Sequence, residues 1–259
     1  MYSWTGIQNY YKRNAARLLF KRPLVIRPQR PLISFTFDDF PRTAFTAGGV
    51  ILKNYGVCAT YYVSLGLMGK DSPSGPICVL DDLRALLEQG HELGSHTFSH
   101  CHSWETNRVT FEASIIQNDV ELSKLVPGAE FGSFSYPISE PRPMTKRRTG
   151  KHFLCCRAGG QRLNVGRADL NQLAAYFLER SRDNVQAVKD LIDLNREERG
   201  WTILATHDIS PAPSPYGCTL EFFEEVVRYA VNSGADVVPV SKALDVLTSA
   251  YPGKRGAAA

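Results

Sequence analysis

The stretch Leu32-Ile33-Ser34-Phe35-Thr36-Phe37-Asp38-Asp39 runs apolar and β-prone for six residues and then stops on two carboxylates. Ile, Phe and Thr suit the packed, pleated surface of a strand. Successive side chains on a strand point to opposite faces, but at a strand end the chain turns, so both carboxylates can reach one site. Two like charges held close together are costly without a cation. The plainer alternative is a solvated turn, where Asp is common.

Outward from this stretch the same unit repeats. Strands are expected at Leu32–Phe37, Ala59–Ser64, His91–Ser95, Glu130–Ser135, Phe153–Cys156, Thr202–Thr206 and Asp236–Val238. Helices are expected at Ala44–Tyr55, Asp81–Glu88, Phe111–Leu125, Asp183–Arg199, Leu220–Asn232 and Ser241–Leu247. Breakers mark loops at Lys70–Pro76, Glu140–Pro143 and Ser210–Gly217. The βαβα order argues for an α/β fold with a parallel sheet. About seven strands suit a closed or nearly closed barrel, in which chemistry sits at the C-terminal strand ends.

Two further strand ends carry chemistry. In Gly94-Ser95-His96-Thr97-Phe98-Ser99-His100 the two histidines are four residues apart. That spacing puts them on one face of a helical turn, where two imidazoles can share a metal. A lone His is more often a satisfied core residue, but a pair after a strand, beside a free Asp pair, is hard to explain by packing. Asp39, His96 and His100 make a donor set that suits a divalent metal with open positions for water and substrate. Zinc is the default, with cobalt or nickel also fitting. His102 is expected to leave that face. The strand Trp201–Thr206 ends on His207-Asp208, and His207 is placed to supply the proton that a leaving amine or alcohol requires. Its alternative is a surface histidine after a strand. Trp104 is either a sugar-stacking aromatic or an ordinary core or rim residue.

Composition narrows the class. The 259 residues are 43% hydrophobic and 22% charged, as in a soluble globular protein. The net charge of +4 is uneven: residues 1–37 hold seven basic residues and no acid, and the remainder has 23 basic and 26 acidic residues. A mildly acidic body argues against nucleic acid as a partner. The six cysteines form no CxxC pair and read as reduced thiols rather than a disulfide framework. No run approaches the ~18 apolar residues of a membrane span, and no apolar stretch follows the first basic residues as in a signal peptide. The expected location is therefore cytoplasmic. Residues 7–22 read as a short helix with two open assignments. One is a membrane-surface helix, peripheral at the inner membrane face. The other, more common, is a helix packed on the barrel with a solvated basic face. The expected organisation is a basic arm over 1–30, a barrel over 31–250 and a flexible tail over 251–259.

Taken together, Thr36-Phe37-Asp38-Asp39, the His96–His100 pair and the strand-end His207 resemble the polysaccharide deacetylase (NodB-homology) family of carbohydrate esterases, in order and spacing, over about residues 32–248. The resemblance implies a distorted (β/α) barrel of about seven parallel strands. It implies a hydrolase that removes N-acetyl groups from an amino-sugar oligosaccharide, polysaccharide or glycolipid. Asp39, His96 and His100 would bind the metal, a metal-activated water would attack the acyl carbon, Asp38 would be the base and His207 the acid. Other carbonyl substrates on the same barrel (a cyclic amide or an O-acetyl ester) and a silent carbohydrate-binding relative remain open, because fold does not fix substrate.

One departure stands out. Where the family often carries Arg-Pro-Pro-Tyr, this chain reads Ser135-Tyr136-Pro137-Ile138. Serine cannot make the ion pair that steadies the base. Arg157, at the end of another strand, is the expected substitute. The backbone N–H of Ile138 is the expected oxyanion donor. Tyr136 and Trp104 are further candidates for substrate contact. Asp169 is the guess for the residue that orients His207.

Overall fold

The computed structural model describes residues 14–138 and 140–249. Its strands are β1 (Pro23–Ile26), β2 (Leu32–Phe37), β3 (Thr60–Val63), β4 (Asp71–Ser72), β5 (Gly75–Pro76), β6 (Glu92–Ser95), β7 (Ser133–Ser135), β8 (Cys155–Arg157), β9 (Gly166–Asp169), β10 (Tyr176–Phe177), β11 (Trp201–Thr206) and β12 (Asp236–Val237). Seven of them pair in parallel in the order β10-β11-β2-β3-β6-β7-β8. The fold is thus the expected distorted (β/α) barrel.

Every residue of β2 and β11 is buried, as in a parallel strand covered on both faces. β2 divides one edge between two partners: β12 pairs at Leu32 and Ile33, β3 at Thr36 and Phe37. The two outer strands are joined by a single segment. The Leu170 carbonyl accepts from Cys156 N, Leu173 exchanges bonds with Cys156 and Ala158, and the chain then runs on as β10 against β11. The curled sheet is closed by this crossing.

The helices cover the outside. Helix Leu220–Asn232 starts where expected because the Thr219 hydroxyl accepts from Phe222 N. It turns Phe223, Val226, Val227 and Ala230 inward at helical spacing. Phe223 meets Phe35 and Phe37 at ring separations of 5.6 Å, and Phe37 stacks on Tyr61 at 4.7 Å. Helix Arg108–Leu125 is capped by Asn107, which accepts from Val109 N and Thr110 N. Its buried Asn118 accepts from Leu65 N and donates to the Val63 carbonyl and Ser95 hydroxyl. One amide side chain thereby ties the end of β3 to the end of β6, the strand that leads into His96.

Two helical expectations need correction. Residues 44–55 are not one regular helix: a wide π-turn over Ala44–Gly49 precedes Val50–Asn54. Pro143, expected to close a loop, instead opens helix Pro143–Thr149, a position where its missing N–H costs nothing.

The basic N-terminal segment is fastened to the barrel from Ala16 onward. β1 pairs with β9 antiparallel over four residues. Fully buried Lys146 pairs with Asp169 and donates to the Ala16 carbonyl at 2.6 Å. Arg22 donates to Asn171 and to the Phe153 carbonyl. Charge changes near residue 30, yet the chain shows no structural break there. Residues 7–13 of the expected helix and the tail 251–259 lie outside the described residues. Among the described residues no helix is long and apolar enough to cross a membrane.

Candidate metal centre and active site

Asp38 and Asp39 follow β2, His96 follows β6, and His207 follows β11, so the parallel strands bring three separate stretches to one rim. Asp39 Oδ1 lies 3.5 Å from His96 Nε2 and 3.2 Å from His100 Nε2. One ligand atom from each residue fits within 4.8 Å of the others. Donors around a tetrahedral ion with bonds of about 2.1 Å sit roughly 3.4 Å apart, close to the spacing here. Asp39 Oδ1 is buried and completes no well-formed hydrogen bond, so an anionic oxygen is aimed at the point where the imidazoles converge. These residues fit a divalent ion.

The spacing of four does not act through a helix, however. Residues 96–101 form an irregular loop. Asp39, Phe40, Thr97 and His100 adopt φ of 61°, 51°, 60° and 52°, a left-handed conformation that is uncommon for Asp and strained for a β-branched residue. Long-range bonds hold the loop there. Ser114 Oγ accepts from Phe98 N and Ser99 N, Thr97 Oγ1 accepts from Cys101 N, and the Phe98 carbonyl accepts from Gly66 N. A Cβ on Gly66 would sit 2.5 Å from that carbonyl, so the close approach requires glycine.

Electrostatics prepare the donors. Burial alone would raise the Asp39 carboxyl, but the close approach of His100 and the positive potential of His96, His100 and His207 hold it well below the ordinary range. Burial pushes His96 down to about 4, leaving a neutral imidazole. Its Nδ1 lies 2.8 Å from the Ser135 carbonyl, which fixes Nδ1 as the protonated nitrogen and turns the Nε2 lone pair toward Asp39. At His100 burial lowers the pKa, while Asp39 and Asp38 outweigh it and leave it raised.

Asp38 faces a different partner. Arg157, at the end of β8, donates directly to Asp38 Oδ1, and both residues are almost fully buried. The guanidinium lies 4.9 Å from the Tyr62 ring centroid and 5.7 Å from that of Phe177, which supports a desolvated Arg. The two adjacent aspartates are thus split between a cation-binding triad and an arginine. His207 is half-buried, with Nδ1 3.3 Å from the Tyr216 carbonyl.

Other candidates fall differently. The Tyr136 phenol, expected near substrate, is buried, donates to the Asn171 carbonyl at 3.2 Å and packs on Phe134. It is a core residue, because the chain at the end of β7 directs it inward. Ile138 is 67% exposed on a left-handed turn (φ 68°). Trp104 donates to the Glu140 carbonyl at 2.6 Å, and Arg142 lies over its ring. His102 pairs with Glu105. Asp169 is taken up by Lys146, Arg22 N and Asn171 N and cannot orient His207.

One site residue had no sequence signal. Glu179 sits in the short 3-10 turn Leu178–Ser181 after β10. Its Oε2 is buried without a partner, and burial pushes its carboxyl up to about 7, with His207 and Asp38 both within electrostatic reach. Below pH 4.5 Glu179 is protonated folded and unfolded alike; as pH rises through 7 the fold bears the full cost of a desolvated carboxylate. Glu179→Gln is therefore expected to stabilise the protein by ~1–2 kcal/mol at pH 8 and by almost nothing at pH 4, on a scale of ~1.4 kcal/mol per pKa unit. Urea unfolding at the two pH values checks this; equal curves at pH 8 would refute it.

Comparison with known proteins agrees with the motifs. The profile described as polysaccharide deacetylase matches residues 26–152, a span that contains Asp38, Asp39, His96 and His100. By this match residues 26–152 belong to the polysaccharide deacetylase family. Curated relatives of this chain include a chitooligosaccharide deacetylase of Sinorhizobium fredii, 29% identical over 100 residues (38% of this chain and 43% of that protein). Another is a peptidoglycan-N-acetylglucosamine deacetylase of Bacillus cereus, 30% identical over 94 residues (36% and 31%). The matches thus span less than half of either relative. Among solved structures, a putative polysaccharide deacetylase from Mycobacterium smegmatis superposes with a TM-score of 0.65 at 14% identity, covering 90% of this chain and 96% of that one. An acetyl xylan esterase from Clostridium thermocellum, solved with a cobalt ion, gives 0.56 at 21% identity, covering 83% and 91%. At such identities these two establish the shared barrel of this chain, and no more.

Proposed function

We propose that this protein is a metal-dependent hydrolase that releases acetate from N-acetylated amino sugars in an oligosaccharide, polysaccharide or glycolipid. The observation that carries this reading is the division of labour at one rim: Asp39, His96 and His100 converge on one point while Asp38 is held apart by Arg157. A divalent ion bound by the triad supplies Lewis acidity toward water and the acyl oxygen. Zinc is the first choice for this donor set, and cobalt or nickel suits the same atoms.

The chain's own groups do the rest. Asp38 takes the proton of the attacking water, and Arg157 holds its carboxylate in place. The Ile138 amide, carried on an exposed turn shortly after β7, donates to the oxyanion. His207, braced by the Tyr216 carbonyl, delivers a proton to the departing nitrogen. Between the β4–β5 hairpin and the loop after His207 lies an open cleft whose lining mixes Thr43, Ser74, Asp208 and Ser214 with Pro73, Ala212 and Pro213. The named relatives act on chitooligosaccharide and on peptidoglycan N-acetylglucosamine, which points to N-acetylglucosamine as the residue to try first.

The test is acetate release from N-acetylglucosamine oligomers by zinc- or cobalt-loaded protein and by chelated protein. Release is expected only from the loaded forms. If no oligomer yields acetate while elemental analysis shows metal retained, the reading fails, and cyclic amides and O-acetyl esters become the substrates to assay.

A further inference from the structure

We propose that the face built from residues 18–27, the outer side of helix Pro143–Thr149 and the start of the following loop docks on an anionic lipid surface. This proposal is independent of the reaction assigned above. The face carries the most exposed large aliphatic side chain among the described residues, Leu18 at 71%, followed by Leu19 at 48%. Val25 and Met144 add exposed apolar surface at 40% and 37%. Neighbouring aliphatic groups left in water are a recurrent mark of an interaction site.

Around them stand cations without counter-charges. Met144, Arg147 and Lys151 are exposed at positions i, i+3 and i+7, so they share one side of the helix and its extension. Arg147 lies 5.3 Å from the Phe20 ring centroid, which joins that side to Leu18, Leu19 and Lys21. On the β1–β9 ribbon, exposed Val25 is registered against exposed Arg167, and Arg27 follows on the same side. None of Lys21, Arg27, Arg147, Lys151 and Arg167 forms an ion pair among the described residues, whereas Arg17 and Arg30, in the same segment, pair with Glu140 and Asp236. No acid lies within residues 14–30.

Uncompensated cations beside exposed aliphatic side chains, Arg147 next to Phe20 and Arg167 across from Val25, favour a surface that offers negative charge and an apolar interior at the same depth. Anionic phospholipid does so: each basic side chain near such a surface contributes, and shallow aliphatic insertion adds to it. An anionic polymer would satisfy the cations but leave Leu18 and Leu19 in water. A second copy of this face would bring like charges together. The contact is peripheral, because the same segment is tied into the barrel through Ala16, Arg22 and β1.

The experiment is co-sedimentation of the full chain with vesicles of phosphatidylcholine alone or mixed with phosphatidylglycerol. Wild type is expected to pellet with the mixed vesicles only, and less so as salt rises. Arg147→Glu with Lys151→Glu is expected to cut the bound fraction about tenfold. Leu18→Ser with Leu19→Ser is expected to cut it several-fold even at low salt. All four side chains are solvent-facing, so the circular dichroism and metal content of both variants should match wild type. Three results would overturn the proposal: wild type staying in the supernatant with both vesicles, pelleting unchanged in both variants, or a wild-type dimer by light scattering that the serine pair makes monomeric.

Discussion

Asp38→Asn is expected to lower the rate of acetate release by about a hundredfold to ten-thousandfold, the range for loss of a positioned general base, while the metal content stays unchanged. Asparagine keeps the shape of the side chain and removes its ability to take a proton. Asp38 bonds to Arg157, and the donor atoms of the triad come from Asp39, His96 and His100, so the ion has no direct stake in the change. Elemental analysis therefore separates the two roles. A rate within tenfold of wild type removes Asp38 as the base, and loss of metal would make it a ligand instead.

Arg157→Met is expected to be the most destabilising single change at the site. The guanidinium is 1% exposed and stands between Asp38 and the rings of Tyr62 and Phe177. Removing one partner of a buried ion pair leaves the other charge desolvated and costs about 3–5 kcal/mol. For a chain of this size that corresponds to a melting point lower by on the order of 10 °C. Combining Arg157→Met with Asp38→Asn takes away both charges, so the double variant should recover part of the loss. Equilibrium unfolding of wild type, both single variants and the double variant closes the cycle. Strictly additive losses would show that the two side chains are not energetically coupled.

The reading from sequence succeeded where local pattern and tertiary demand coincide. β2 is apolar throughout because both of its faces are covered, and Leu220–Asn232 carries its own cap and a regular inward stripe. The family resemblance called for an arginine beside Asp38, and position at a strand end pointed to Arg157. Neither could reveal that β8 stands opposite β2, which depends on closure of the whole sheet. What escaped depends on distant partners. β1, β9 and β10 are short and owe their extended form to pairing across the chain; Gly166-Arg167-Ala168-Asp169 alone reads as a turn. The His96–His100 spacing suggested a helix because intervals of four usually do. Here Ser114, more than a dozen residues further on, fixes an irregular path that brings the same two rings together. Tyr136 sat beside the right motif and still points into the core. Glu179 follows a strand too short to notice, so nothing marked it.

The left-handed turns at Asp39 and His100 have a further meaning. Bonds from Ser114 and Gly66, distant in sequence, hold the loop that carries His100. The rotational freedom of the donors is given up during folding rather than on capture of the ion. Stripping an ion from the triad should therefore leave its shape in place, and reloading with a different element should be quick and fully reversible. Which element occupies it would then follow from what the surroundings supply as much as from any selectivity of the fold.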